Sequence, residues 1–137
     1  MDLRLRDVLA TMADDLVAQL DADACAISRV IGDVLILVAE RARDGTGLQQ
    51  GQGYLVSDFP QTAGVLQTGA PRALTLDDAD LDSAEAFILR EHGFGSLVML
   101  PLELNGAAWG LVEVYRVDRR PFTEAEIRRA GELIHVP

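Results

Sequence analysis

Residues 96–117 read SLVMLPLELNGAAWGLVEVYRV, and this stretch decides the fold. Two largely apolar runs flank the dipeptide Asn105-Gly106, which is the strongest short signal for a two-residue hairpin turn because both residues tolerate a positive φ. The stretch therefore predicts two antiparallel strands, Ser96–Leu104 and Ala107–Val117.

A two-residue turn also predicts which side chains share a face of the hairpin. If Leu104 faces Ala107, the pairing places Ser96, Glu113 and Tyr115 on one face. Both faces of the hairpin are mostly apolar, so we expect both to be covered by other parts of the chain.

Glu113 interrupts an apolar run, and a carboxylate buried there needs a partner. One interpretation is that Glu113 lines a pocket and accepts a hydrogen bond from a ligand, with Ser96 and Tyr115 nearby. The other is that it pairs with an arginine such as Arg29, or is exposed near a strand end. Pro101 cannot donate to the ladder, so a bulge there would shift the alternation on one strand.

The rest of the chain supplies helices and shorter strands around this hairpin. Apolar residues recur at helical spacing over residues 3–20, and helices are also predicted at 57–68, 83–92 and from Thr123 onward. Segments 24–30, 34–39 and 72–76 are predicted strands. The predicted order is α-β-β-α-β-α-β-β-α, which is one α+β domain spanning residues 1–137.

Local signals mark where these helices begin and end. Ser57-Asp58-Phe59-Pro60 predicts a helix start with a capping oxygen and a proline in the first turn. Thr123 and Glu126 form a capping box, and Gly93 suits the left-handed residue that ends a helix. The glycines at 45, 47, 51 and 53 predict a loop, which we expect to lie over the pocket.

Composition excludes several classes of chemistry. The 137 residues carry a formal net charge of −10, so nucleic acid and anionic lipid are not expected partners. All 12 basic residues are arginine, which excludes a Schiff-base lysine and the lysine of a phosphate loop. The single cysteine, Cys25, excludes an internal disulfide and a multi-cysteine zinc site. No apolar run reaches membrane-spanning length, and we expect a cytoplasmic protein.

Several short segments together resemble a GAF domain, across essentially the whole chain. These segments are GQGYL at 51–55, DFP at 58–60, GFGSLVMLPL at 93–102, GLVEVY at 110–115 and PFTEAE at 121–126. The resemblance implies a central antiparallel sheet of five or six strands. Terminal helices would cover one face, and helices and loops would form a small-molecule pocket on the other. It also implies a regulatory role, usually in a dimer fused to an effector.

The resemblance can be tested against the known kinds of GAF domain. Cyclic-nucleotide-binding members carry a lysine in their motif, and this chain has none. Free methionine sulfoxide reductases of this fold need at least two cysteines. Bilin-binding members attach the chromophore to a cysteine near the pocket, whereas Cys25 lies within a predicted strand and is better interpreted as a small core residue. Haem-binding members use one histidine, for which His92 is the candidate. Its place in the last turn of a helix has an ordinary explanation in the helix dipole.

The resemblance and the hairpin pattern together give a set of candidate ligand-binding residues. No catalytic residue and no metal ligand is predicted beyond the haem candidate His92, and the cofactor is left unspecified. The candidates are Tyr54, Asp58, Phe59, Thr62, Ser96, Glu113 and Tyr115.

The sequence thus predicts a non-catalytic sensory domain that binds a small molecule and regulates an effector such as a diguanylate cyclase or histidine kinase. One alternative is a ligand-free module that relays a signal by dimerising through its terminal helices. Another is an enzyme using Glu113 as acid or base, for which no second paired group is evident. The apolar stripe of the last helix still continues at Pro137, so we expect this domain to come from a longer signalling protein.

Overall fold

A computed structural model of the chain describes residues 3–44 and 53–135. Most of the predicted glycine loop, residues 45–52, lies outside these described residues. The helices are α1 (Leu3–Gln19), α2 (Pro60–Thr68), α3 (Ser83–His92) and α4 (Glu124–Leu133). The strands are β1 (Ala24–Ile31), β2 (Val34–Ala42), β3 (Gly53–Leu55), β4 (Arg72–Thr75), β5 (Ser96–Leu104) and β6 (Ala107–Arg116).

The six strands form one antiparallel sheet in the order β3-β2-β1-β6-β5-β4. The predicted α+β class and antiparallel sheet of five or six strands are confirmed. The sequence-based order of strands omitted the three-residue strand β3. Asn105 and Gly106 have φ values of 54° and 79°, which is the conformation that the hairpin prediction requires.

Each face of the sheet is covered by a different pair of helices, as expected. The terminal helices α1 and α4 pack on one face, where Leu9, Leu16 and Ala130 are fully buried against the strands. The middle helices α2 and α3 cover the other face through Val65 and Leu89. Burial on both faces explains why the central strands are apolar almost throughout.

The capping predictions hold for α3 and α4 but not for α2. The capping box joins Thr123 to Glu126 in both directions, and Gly93 ends α3 with a φ of 75°. The residue before α2 is Phe59, which offers no capping oxygen, and proline occupies the first turn. The capping oxygen predicted within residues 57–60 is therefore wrong, and the Ser57 hydroxyl donates a hydrogen bond of 2.5 Å to the Asp33 carboxylate instead.

The predicted register of the hairpin is also wrong along most of its length. Leu104 does face Ala107, but the pairing shifts between Leu102 and Glu103, so that Trp109 is an extra residue on β6. Beyond this bulge, Ser96 faces Arg116 instead of Tyr115. The sequence placed a possible bulge at Pro101, and the observed one lies immediately after it.

The bulge decides which side chains share a face. Leu97 and Met99 lie with Glu113 and Tyr115 on the face covered by α2 and α3. Ser96 alternates with Leu97 and is fully buried away from that face, so the expectation that Ser96 shares a face with Glu113 and Tyr115 is wrong.

Candidate functional site

A small cavity lies between the sheet and the helices α2 and α3, with a volume of about 60 Å³. Apolar side chains from β1, β2 and α3 form part of its wall. Two further groups of side chains, one polar and one aromatic, set its chemistry. The polar group comprises Ser28, Thr62, Glu85, His92 and Glu113. The aromatic group comprises Tyr54, Phe59, Phe94 and Tyr115.

The structure brings together five of the seven candidate ligand-binding residues at this cavity. Of the two others, Asp58 is exposed beside it and Ser96 is buried on the opposite face of the sheet. His92, the haem-ligand candidate, also lines the cavity. The five are Tyr54, Phe59, Thr62, Glu113 and Tyr115.

Aromatic rings build two sides of the cavity. Phe94 stacks on Tyr115 with ring centroids 4.6 Å apart and an interplanar angle of 18°. Tyr54 meets Phe59 edge to face, with centroids 6.0 Å apart. The His92 ring also stacks on Phe94, with ring centroids 6.4 Å apart. These contacts hold the ring faces in place beside the polar group.

Glu113 lies in the middle of β6, between Met99 on β5 and Ala26 on β1. The Tyr115 hydroxyl donates a hydrogen bond of 2.9 Å to Glu113 Oε2. Burial raises the pKa of Glu113, and this hydrogen bond opposes the rise only in part. Within residues 3–44 and 53–135, no ion pair joins Glu113 to an arginine. The proposed partner Arg29 instead places its guanidinium 5.0 Å from the Trp109 ring centroid, so the interpretation of an arginine pair is wrong.

Glu85, which the sequence analysis missed, supplies a second carboxyl to the cavity. It lies in the first turn of α3 and is only 2% exposed. Burial, together with the nearby charge of Glu113, raises its pKa. Helical spacing contained a signal for it, because Glu85 is four residues before the buried Leu89 and seven before His92.

Thr62 connects α2 to the Glu85 carboxyl on α3 and to β5. Its hydroxyl lies 3.3 Å from Glu85 Oε2 and 3.3 Å from Met99 Sδ. A hydroxyl has one hydrogen, so it donates to one of these acceptors at a time. Met99 faces Glu113 across the hairpin, so Thr62 links Glu85 to the strand that pairs with β6.

With the fold and the cavity described, comparison with known proteins becomes informative. The family model of the GAF domain matches residues 4–134. The chain belongs to the GAF domain family. A search of curated proteins found no match.

Solved structures show the same fold in other GAF domains. The phycoerythrobilin-bound GAF domain of a cyanobacterial phytochrome is 20% identical, with a TM-score of 0.82 over 96% of this chain and 82% of that one. The PixJ GAF domain of Thermosynechococcus elongatus is 21% identical, with a TM-score of 0.82 and the same coverage. The chromophore-binding domain of Stigmatella aurantiaca bacteriophytochrome is 17% identical, with a TM-score of 0.77 over 95% of this chain. This GAF domain spans 51% of that last chain, about half its length.

Cys25 of this GAF domain cannot reach the cavity. It is fully buried among the residues that pack against α1 and α4, on the opposite face of the sheet. Burial, with the nearby charge of Glu113, raises the pKa of its thiol, so it remains an unreactive thiol. The interpretation of Cys25 as a small core residue agrees with this placement.

No helix in residues 3–44 or 53–135 combines the length and the apolar character needed to cross a membrane.

The two carboxyl groups make a testable contribution to stability. Burial raises the pKa of Glu113 to about 7 and that of Glu85 to about 8. The unfolded chain, with ordinary carboxyl pKa values, releases these protons at lower pH than the folded one. The stability that these two carboxyl groups contribute is therefore fully present below about pH 4 and is lost as the pH rises toward about 8.

We expect urea unfolding to show that loss directly. Between about pH 5.5 and 8.5, wild type should lose about 2–5 kcal/mol more than a Glu85→Gln/Glu113→Gln double variant. The other titratable groups facing the pair are Tyr54, Tyr115, His92 and Asp82, and the double variant keeps all four. If the free energy of unfolding changed equally with pH in wild type and in the double variant, the pH dependence could not be assigned to Glu85 and Glu113.

Proposed function

We propose that this GAF domain is a non-catalytic sensory module, which binds a small molecule in the cavity between the sheet and helices α2 and α3. The bound molecule regulates a downstream effector such as a diguanylate cyclase or a histidine kinase. The observation that carries the proposal is an apolar cavity into which a few polar groups converge, from four separate elements of the fold.

The size of the cavity limits the ligand. Pockets for drug-sized molecules measure about 300–1,000 Å³, and this one measures about 60 Å³. A compact molecule fits it, and a larger one requires α2 or α3 to move outward.

We do not propose phycoerythrobilin, which is bound in one of the similar structures, as the ligand of this chain. A tetrapyrrole is far larger than the cavity, and the single cysteine lies on the other face of the sheet. The same volume argument applies to haem with His92 as ligand. His92 has an aromatic neighbour, Phe94, that accounts for its position without a metal.

The effector part of the proposal has separate support. This domain spans only 31% of the Stigmatella aurantiaca photosensory core module, so domains of this fold occur within longer chains. Signalling from the cavity would pass through β6, which carries Glu113 and Tyr115 on one face and contacts the helical core on the other.

A homodimer through the terminal helices is also proposed, as the sequence analysis expects. The apolar stripe of α1 is already buried, since Leu9, Met12 and Leu16 pack against the sheet. Such a dimer would therefore use the outer face of α1, where Leu3 is 72% exposed.

A cavity-filling substitution tests the sensory proposal. Ala26 lines the cavity and is 5% exposed, so the side chain of Ala26→Leu would occupy the space that a ligand needs. We expect native mass spectrometry of the purified domain, with a thermal-shift screen of metabolites, to find a ligand for wild type. The affinity of Ala26→Leu for this ligand should be at least tenfold lower than that of wild type. A loss of this size is on the order of one methyl-sized contact or more.

The matched control is Ala107→Leu, which adds the same side chain at an exposed position of β6. It should bind as wild type does. A ligand that returns chemically unchanged supports a sensor, whereas turnover would favour the enzyme hypothesis, for which Glu85 now supplies a second carboxyl. Equal binding by wild type and Ala26→Leu would place the ligand elsewhere and overturn the proposal.

A further inference from the structure

The two carboxyl groups in the cavity have no cationic partner within the described part of the chain. Thr62 is the one donor to the Glu85 side chain, and Tyr115 is the one donor to that of Glu113. Each donor contacts Oε2, so the Oε1 atom of each carboxyl accepts no hydrogen bond from residues 3–44 or 53–135. The side chain of Glu85 is only 2% exposed, but its Oε1 atom is not fully enclosed by protein and faces the open space of the cavity.

Leaving a carboxyl oxygen without a donor in such a place is costly. Two carboxylates elsewhere show the pairing that arginine can supply: Glu126 with the buried Arg116 at 2.5 Å, and Asp77 with Arg119 at 2.6 Å on the surface. The cavity pair departs from that pattern, although the chain contains 12 arginines. Free acceptors facing an enclosed space are the arrangement expected of a site that receives donors from a ligand.

The aromatic rings beside the carboxyls favour the same kind of ligand. Tyr115 stacks on Phe94 next to Glu113, and Tyr54 and Phe59 close another side. Ring faces attract cations, and they also pack against a small apolar body.

We infer that the cavity binds a compact organic cation, in which a protonated amine or amidine is attached to a small apolar body. The charged group donates hydrogen bonds to Glu85 and Glu113, and the apolar body packs against the aromatic rings. This inference rests on the proposed sensory function and specifies its ligand class.

The same residues disfavour an anionic ligand. No arginine lines the cavity, and the net charge of the whole chain is −10. A phosphate or carboxylate placed beside Glu85 and Glu113 would meet two like charges at short range.

Three probes that differ mainly in charge test the inference. Benzylammonium, benzyl alcohol and benzoate share one ring, and each is titrated into the ¹⁵N-labelled chain at about pH 8. At this pH the amine and Glu113 are largely charged and Glu85 is about half ionised, so a bound cation favours the ionised form of both carboxyls. We expect benzylammonium to shift the amide signals of cavity residues and to bind at least tenfold more tightly than either other probe. Equal or tighter binding of benzyl alcohol or benzoate would overturn the inference.

Two variants assign the effect to the carboxyls. Glu85→Gln and Glu113→Gln should each weaken benzylammonium binding about tenfold and leave benzyl alcohol binding unchanged. Glu91→Gln is the matched control, because Glu91 is exposed on the same helix as Glu85. Loss of benzylammonium affinity in the control alone, or in none of the variants, would refute the assignment.

The outcomes separate this inference from the sensory proposal. If neutral or anionic probes bind the cavity and Ala26→Leu blocks them, the ligand class is wrong and the sensory function stands. If no probe of any charge binds and no metabolite is found, both fail.

Discussion

Replacing Arg116 with alanine is expected to lower the free energy of unfolding by about 3–5 kcal/mol, because it breaks a buried ion pair and leaves several acceptors without donors. Arg116 is 1% exposed and lies at the end of β6. Its Nη2 atom donates to Leu20 O at 2.6 Å and to Glu126 Oε2 at 2.5 Å. Its Nη1 atom donates to Pro121 O at 3.2 Å.

These bonds join three parts of the chain that are far apart in sequence. Leu20 follows α1, Pro121 precedes α4, and the guanidinium also lies 4.0 Å from the Phe122 ring centroid. Burial alone would raise the pKa of Glu126, but the hydrogen bonds from Arg116 and Thr123 outweigh it and lower that pKa. Glu126 thus serves the capping box of α4 and the buried arginine at once.

Urea unfolding followed by circular dichroism measures the effect. Arg119→Ala is the matched control, because Arg119 makes one exposed ion pair with Asp77, and it should change stability by less than about 0.5 kcal/mol. Arg116→Lys should recover little of the loss, since an ammonium cannot reproduce the planar donor set. A loss in Arg116→Ala no larger than that in Arg119→Ala would contradict the prediction.

Replacing Gly110 with alanine is expected to cost about 3 kcal/mol. A Cβ atom at this position would lie 2.3 Å from Ser28 O, which is a backbone atom of the neighbouring strand β1. The clash cannot be relieved by a side-chain rotation, so β1 and β6 must separate where Gly110 faces Arg29. Both strands line the cavity, and the separation should also alter ligand binding.

Gly131→Ala provides the control for this second prediction. Gly131 lies in α4 with open space around it, so alanine there should be neutral or stabilise by up to about 1 kcal/mol. Thermal unfolding monitored by circular dichroism compares the two variants. Equal stability of Gly110→Ala and wild type would show that the two strands can move apart at little cost.

The local elements were predictable because their signals lie within a few residues. The capping box of α4 needs only Thr123 and Glu126, the end of α3 needs only Gly93, and the hairpin turn needs only Asn105-Gly106. The apolar stripe of α1 likewise predicted a helix with one buried side, which is observed at Leu9, Met12 and Leu16.

Elements that depend on distant partners were missed. The strand β3 has three residues and no local strand pattern, and it exists because Tyr54 pairs with Leu35 of β2. The capping oxygen predicted within residues 57–60 is absent, and the Ser57 hydroxyl bonds to Asp33, which is 24 residues away. A short polar side chain bonds whichever group the fold brings near it, and local sequence does not show which one that is.

The sequence by itself determined the α+β class and the hairpin turn, because periodicity and turn chemistry act over a few residues. With the GAF resemblance, it also identified five ligand-binding candidates that line the cavity. Only the tertiary structure decided the register and the electrostatics of the site. One extra residue at Trp109 exchanges the two faces of a strand, which moved Ser96 away from Glu113. Packing of α3 on the sheet then placed Glu85 beside Glu113, 28 positions apart, and burial of both carboxyls together set the charge of the cavity.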